Sequence, residues 1–184
     1  MEKILNLYSQ LSKSYDVLYG EEQKKKYELI LHLEKPHGII ADLGCGTGMF
    51  LDYLIPLCEF IVGLDLCVEM VEVAKNRRGD NVDLVVGDIH LLPFRSSVFN
   101  YVYSISVLGN TIDHKVLRPI SDMLKPHGVL VLTLIRGERL DSILYSIIDR
   151  LKRLGFGRIT LVDVPEIKDI IIFSKHIKKS TVEI

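Results

Sequence analysis

At 184 residues the chain has the length of one domain, large enough to bury roughly 70% of the surface its unfolded form exposes, so a core needs neither disulfides nor metal. Hydrophobic residues make up 48% and charged residues 26%, which excludes a disordered chain, a collagen-like fibre and a coiled coil. With 23 Lys+Arg against 24 Asp+Glu, no global field draws the molecule toward nucleic acid or acidic lipid.

Residues 1–33 carry two helical patterns that break near Gly20, the first with Leu7, Leu11, Val17 and Leu18 and with Tyr8, Tyr15 and Tyr19 spaced to share a face. They are expected to form a helical cap, 1–34, on the sheet's edge or ligand face. The opening residues show no basic stretch followed by an apolar core and a small-residue cleavage site, which gives the expectation of a cytoplasmic protein. Short β-rich runs follow at 39–43, 60–65, 82–88, 99–105, 129–135, 158–164 and 169–176. Helical patterns separate the first five, among them 68–78, where Met70, Val71, Val73 and Ala74 share a face, and 112–124, closed by Pro126, His127 and Gly128. Alternating strand and helix predicts a parallel sheet with helices on both faces. After a helix at 141–154, only four residues, 165–168, part the last two strands, too few for a parallel crossover, so those two pair antiparallel. The longest wholly apolar runs, such as 170–173, fall far short of the ~18 residues that span a bilayer, so no membrane is expected. Cys45, Cys58 and Cys67 are odd in number and form no C-x-x-C pair, which argues against a disulfide framework or zinc site.

The richest segment is 41–50, where a strand ends in Gly44-Cys45-Gly46-Thr47-Gly48 and then opens a helix. Glycines permit φ > 0 and let a ligand approach the backbone, while a helix start offers N–H groups. A dinucleotide-binding turn would need a small residue at 49, which is Met49; the third glycine comes one place early, at Gly48. Asp42, Asp65 and Asp88 fall at the carboxyl ends of successive strands, where a doubly wound sheet forms its binding crevice, and Asp65 is placed to accept hydrogen bonds from a ribose diol.

This constellation resembles the class I S-adenosylmethionine-dependent methyltransferases, and the likeness runs from about Ile39 to the C-terminus; the chain is most similar to the small type 11 members with an N-terminal helical lid. The resemblance implies a Rossmann-like α/β fold with a doubly wound seven-stranded sheet of order 3-2-1-4-5-7-6, strand 7 antiparallel. It implies S-adenosylmethionine as cofactor, with Gly44, Cys45, Gly46 and Gly48 beneath its methionine part, Asp42 toward its amino group and Asp65 on the ribose hydroxyls. Asp88 would meet the adenine amino group, Leu66 and Ile89 would sandwich the ring, and Tyr15 or Tyr19 would close over the methionine end. Ser104 and Ser106, leaving strand four, would lie near the sulfonium and the acceptor.

No cysteine follows strand three, which argues against carbon methylation through a thiol nucleophile. Asn110, Asp113 and His114 are the nearest polar candidates for orienting an acceptor, and His90 and His114 stand where an acid or base would serve. The expected reaction is methyl transfer to an O or N atom, on RNA or protein; alternatives are a small metabolite as acceptor and a non-catalytic nucleotide-binding module. Against RNA stands the net charge of −1, and the clusters 24–26, 77–78 and 178–179 read as solvated faces. Strand three should lie at a sheet edge, where 82–86 has one charge and no Pro to block pairing; a small activator protein could add a strand there. A monomer or homodimer is expected.

Overall fold

The computed structural model describes residues 2–77, 79–107 and 115–177. Among these, seven strands join in one sheet of order β3-β2-β1-β4-β5-β7-β6, with β1 Ile39–Leu43, β2 Phe60–Asp65, β3 Val82–Val86, β4 Phe99–Ser104, β5 Leu124–Ile135, β6 Phe156–Val162 and β7 Asp169–His176. Strand β7 runs antiparallel to both β5 and β6. The antiparallel last pair matches the expectation from the short 165–168 connection, and the strand order matches what the family resemblance implies.

The chain divides into two compact units, Met1–Leu92 and Pro93–Ile184. In the N-terminal unit, α1 (Glu2–Leu11) and α2 (Tyr15–Leu33) precede β1, α3 (Leu51–Leu54) follows the glycine turn, and α4 (Val68–Ala74) joins β2 to β3. The helical break falls at residues 12–14, not at Gly20, where Ser12 Oγ donates to Ser9 O at 2.9 Å and Ser14 N to Leu11 O at 2.9 Å. A hydroxyl that bonds the preceding turn's carbonyl offers the backbone an alternative to the helical ladder, which a single glycine does not. Gly20 lies inside α2, and a Cβ there would only touch Met49 Sδ at 4.0 Å. Met70, Val71 and Ala74 are buried as expected of α4's inner face, with Val73 at its margin. Lys26, expected on a solvated face, is buried on α2 beside Tyr27 and Ile30.

The C-terminal unit holds β4, α5 (Leu117–Met123), β5, α6 (Leu140–Arg153), β6 and β7. Its core comes from near-continuous apolar strands, as expected when both faces of a strand are covered; Val102, Leu130, Val131, Ile171 and Ile172 are all but fully buried. Strand β5 starts at Leu124, earlier than expected. The turn at 126–128 is absorbed into it because His127 takes φ 64° and Gly128 passes so close to Asn100 O and Lys125 O that a Cβ would stand 3.0–3.1 Å from them. Strand β6 starts two residues early, at Phe156, and its register with β7 shifts between Gly157 and Thr160. No described helix is long and apolar enough to cross a membrane.

Candidate functional site

In the N-terminal unit the parallel register sets Asp42 beside Gly63 and Leu43 beside Leu64, so β1 and β2 end level and the chain must turn at Gly44. Both Gly44 N and Cys45 N donate to Leu64 O, at 2.6 and 3.0 Å. This fold-back is possible because Gly44, Gly46 and Gly48 take φ of 79°, 55° and 78°, a region costly for residues with a Cβ. The glycines differ in what they do. A Cβ on Gly48 would stand 3.0 Å from Ala74 Cβ and Leu51 Cδ1, so Gly48 lets α4 pack on the turn; one on Gly46 would meet nothing within 4 Å. Gly46 therefore presents bare backbone to open space. The helix that the turn opens, α3, is one turn long, and the cradle is the glycine loop itself.

Asp65 closes that loop from β2. Its Oδ2 accepts from Gly46 N at 2.8 Å and its Oδ1 from Cys67 N at 2.8 Å. A carboxylate has about four lone-pair sites, so acceptor capacity is left once the loop is fixed. Burial raises the Asp65 pKa, opposed by the N–H groups of Cys67, Gly46 and Leu66. Asp42 lies deeper. Burial, and then the charge of Asp65, push its pKa up to about 7. Two carboxylates in one buried pocket disfavour joint ionisation, which a cation would relieve.

Asp88 stands two residues past β3, where its Oδ1 accepts from His90 N at 2.9 Å and from His90 Nδ1 at 2.7 Å. The backbone N–H and ring of His90 hold the Asp88 carboxyl below its usual range. His90 thus orients Asp88. Leu66 is exposed and Ile89 half-buried, so each offers apolar surface beside its acid.

Helices α1 and α2 bring an aromatic cluster and a clamp. The Tyr15 ring lies 4.8 Å from Tyr19 and 6.2 Å from Tyr8, centre to centre. Burial, then Tyr8, Tyr19 and Asp65, push the Tyr15 hydroxyl up to about 12. Asp16 Oδ1 accepts from Thr47 Oγ1 at 2.5 Å, and its other oxygen pairs with Arg77, which also pairs with Asp52. Lower on α2, Tyr27 stacks on Phe50 with centroids 4.5 Å apart. Thr47 and Gly63 carried no expectation, and Arg77, expected on a solvated face, is instead partly buried where it pairs with Asp16 and Asp52; at Gly63 a Cβ would stand 3.0 Å from Cys45 Sγ, so this glycine makes room for the loop's cysteine. The thiols of Cys45, Cys58 and Cys67 are all raised by burial, the opposite of what a nucleophile needs.

In the C-terminal unit Ser104 ends β4 fully buried, its hydroxyl without a hydrogen-bond partner among the described residues. Ser106 takes φ 59°. That conformation is held by its N–H donating to Thr133 Oγ1 at 2.8 Å and its hydroxyl to Asp169 Oδ2 at 3.0 Å, which also accepts from Thr133 Oγ1 at 2.7 Å. Thr133 and Asp169, far apart in sequence, gave no signal before the register of β5 and β7 was known. Asn110, Asp113 and His114 lie outside the described residues, as do Arg78, Lys178 and Lys179. Among the described residues no three His, Cys, Asp or Glu side chains gather as metal ligands.

Residues 41–132, which span the glycine turn and the strand-end acids and run into β5, match the family model described as methyltransferase domain. The chain belongs to the class I S-adenosylmethionine-dependent methyltransferases. The chain is 34% identical over 137 residues to an uncharacterized Methanocaldococcus jannaschii protein, covering 71% of this chain and 51% of that one. It is 36% identical over 106 residues to the human probable tRNA methyltransferase 9B, covering 55% and 22%. Against a Staphylococcus aureus demethylmenaquinone methyltransferase identity is 32% over 147 residues, covering 71% and 59%. The chain thus spans about half of the first relative and about a fifth of the second. Among solved structures the methyltransferase fold recurs in the DhpI–SAH complex, at a TM-score of 0.76, 18% identity and coverage of 95% and 96%. It recurs also in the complex between the Haloferax volcanii Trm112 methyltransferase activator and the putative methyltransferase, at 0.70, 18%, and 92% and 97%.

Proposed function

We propose that this methyltransferase, acting as a single domain of a core at 39–184 and a cap at 1–34, transfers a methyl group from S-adenosylmethionine to an O or N acceptor. The observation that carries the reading is Gly46: left-handed backbone facing open space, with its N–H fixed by the Asp65 carboxylate. A Cβ would fill that cradle, and the remaining acceptor capacity of Asp65 suits the two hydroxyls of a ribose.

In this reading Gly44, Cys45, Gly46 and Gly48 carry the methionine part along bare backbone, and Asp42 receives its ammonium group. Asp65 accepts from the ribose, Asp88 from the adenine amino group, and Leu66 and Ile89 cover the ring. Tyr15 and Tyr19 close the methionine end, with Asp16 and Thr47 fixing α2 to the loop. The bound sulfonium supplies an activated methyl group whose departure leaves a neutral thioether. What remains for the chain is to align the acceptor in line with that bond and keep water out, which positioning achieves. Ser104 and Ser106 are proposed to shape that approach, and Asn110, Asp113 and His114 to orient the acceptor. The acceptor is RNA, protein or a small metabolite; one relative's name points to tRNA and another's to a quinone precursor. Incubation with cofactor labelled on its methyl group, followed by counting in separated RNA, protein and small-molecule fractions, tests the reading. Label in none of them would overturn it.

We also propose a protein partner at β3. It is an edge strand with Asp83 and Val86 exposed and Leu84 and Val85 half-covered, so its outer backbone can take another strand. The activator complex named above has this fold and supports an activator as the occupant.

A further inference from the structure

The near-zero net charge hides two opposite halves. Residues 1–92 hold 9 Lys+Arg against 15 Asp+Glu, and residues 93–184 hold 14 against 9, a net −6 and a net +5. Within the C-terminal unit the topology gathers much of the excess at one end. Strand β5 begins there, β6 begins there, and antiparallel β7 finishes there, since Lys175 pairs with Gly157 on one side and Val129 on the other. Helix α6 also ends there. The result is one end carrying Lys125, Arg150, Lys152, Arg153, Arg158 and Lys175. Asp149 is engaged with Arg153 at 2.9 Å and Asp122 with Arg118 at 3.7 Å. Lys152, Arg153, Arg158 and Lys175 are exposed. Lys152, Arg158 and Lys175 hold no ion pair among the described residues.

Helix-dipole complementarity accounts for the cations in α6's last turn, but not for Lys175 or Arg158. Arg158 takes φ 42° at the register shift of edge strand β6. A bulge of this kind re-aims a side chain and carries a backbone cost. Here it leaves an exposed arginine one residue past the Gly157–Lys175 pair.

We infer that this basic end of the C-terminal half binds the phosphodiester backbone of a nucleic acid. Cations on neighbouring strands stand about 4.8 Å apart, close enough for a polymer with a charge every ~3.4 Å per strand to engage several together. Two of the four exposed cations, Arg153 and Arg158, are arginines, whose planar fork suits phosphate oxygens. Leu151, Leu154 and Phe156, interleaved with the cations, are buried, and of the large apolar side chains at this end only Ile177 is exposed among the described residues, so the surface offers charge with little of the apolar face by which basic helices enter a lipid surface. Along β7, Lys175 is six residues from Asp169, roughly 20 Å. A long nucleic acid held at one end of this unit can therefore reach the Ser106 end. None of these cations is among the residues placed in the methyl-transfer site.

The test is fluorescence anisotropy with bulk tRNA and, separately, a 20-base-pair DNA duplex, from low to moderate salt, for the full chain and the triple variant Lys152→Glu/Arg158→Glu/Lys175→Glu. Expected is salt-sensitive binding of at least one polymer by the parent, a loss of at least 10-fold in the triple variant and a shallower salt slope, the two arms telling RNA from DNA. Equal melting temperatures show that the variant is folded; should it not fold, the three single charge reversals are measured, each expected to lose about 2- to 5-fold. A control variant with Lys24→Glu and Lys25→Glu should bind like the parent. Absence of binding to both polymers at low salt, equal binding by parent and variant, or binding only to vesicles of anionic lipid overturns the inference.

Discussion

Asp65 does two things at once. It accepts the N–H of Gly46 and of Cys67, and in the proposed function its remaining lone pairs accept from a ribose. Removing it unfastens the loop and deletes the acceptor, so Asp65→Ala is expected to weaken S-adenosylhomocysteine binding at least ~10-fold, about 1.4 kcal/mol. Gly46→Val should do the same by another route, since its side chain would occupy the open side of the loop on left-handed backbone. Isothermal calorimetry on both variants, with circular dichroism to show that they are folded, checks this; parental affinity in both would mean the site is elsewhere. Asp42 gives a prediction in pH. Its pKa stands at about 7 in the fold, above the ordinary carboxylate value it has in the unfolded chain, so the folded state binds the proton more tightly. The stability from that proton is complete at acid pH and lost as pH rises toward 7, on the order of 1–4 kcal/mol. Melting temperature of the parent should therefore fall relative to Asp42→Asn between about pH 4 and pH 7. A ligand ammonium beside Asp42 would reverse the preference, so S-adenosylhomocysteine binding near pH 6 should release a proton in the parent and none in the Asn variant, read from calorimetry in buffers of different ionisation enthalpy.

At the scale of elements, the N-terminal helices are fixed to the glycine loop by Asp16, bonded to Thr47 and paired with Arg77. The ion pair is partly exposed and so is worth little by itself; the hydroxyl bond to a charged acceptor is the stronger half. Asp16→Ala should loosen α2 and lower S-adenosylhomocysteine affinity by about 3- to 10-fold, with faster proteolysis at residues 12–14 and little change in melting temperature. Unchanged affinity would reduce the clamp to packing. Sequence spacing did place three tyrosines together, and their rings do meet. It misplaced the helix break, because a glycine inside a helix and serine hydroxyls bonding backward look alike until the backbone is seen. Edge strand β3 gives a second test at this scale. Val85→Lys adds a long cationic side chain to the edge strand, so native-extract pull-downs with parent and variant should differ in the proteins they recover; identical recoveries would argue against an activator at this edge.

For the whole molecule, the alternation of strands and helices and the antiparallel last pair were legible because each link was local: apolar runs of strand length, helical spacing between them, and a short 165–168 connection; the strand order came from the family resemblance alone. The glycine loop and its strand-end acids were legible for the same reason, since β1 and β2 each end on their own acidic signal. The Ser106, Thr133 and Asp169 network was not, because it depends on which strands are neighbours and at what register. The exposed arginine at the β6 bulge escaped for that reason too. Total charge was the poorest guide, averaging over halves of opposite sign. What the fold as a whole should do is tell ligands apart. A NAD-dependent turn needs a small residue where Met49 stands, and the third glycine comes one place early, at Gly48. A ligand that binds only the folded state stabilises it by about 2.7 kcal/mol at a hundred times its dissociation constant, and in a protein of this size 1 kcal/mol moves the melting temperature by roughly 2–4 °C. Saturating S-adenosylhomocysteine should therefore raise the melting temperature by about 5–10 °C, while NAD at the same concentration leaves it within about 1 °C of the free protein. A shift with NAD and none with S-adenosylhomocysteine would contradict the assignment of the loop, whatever the acceptor proves to be.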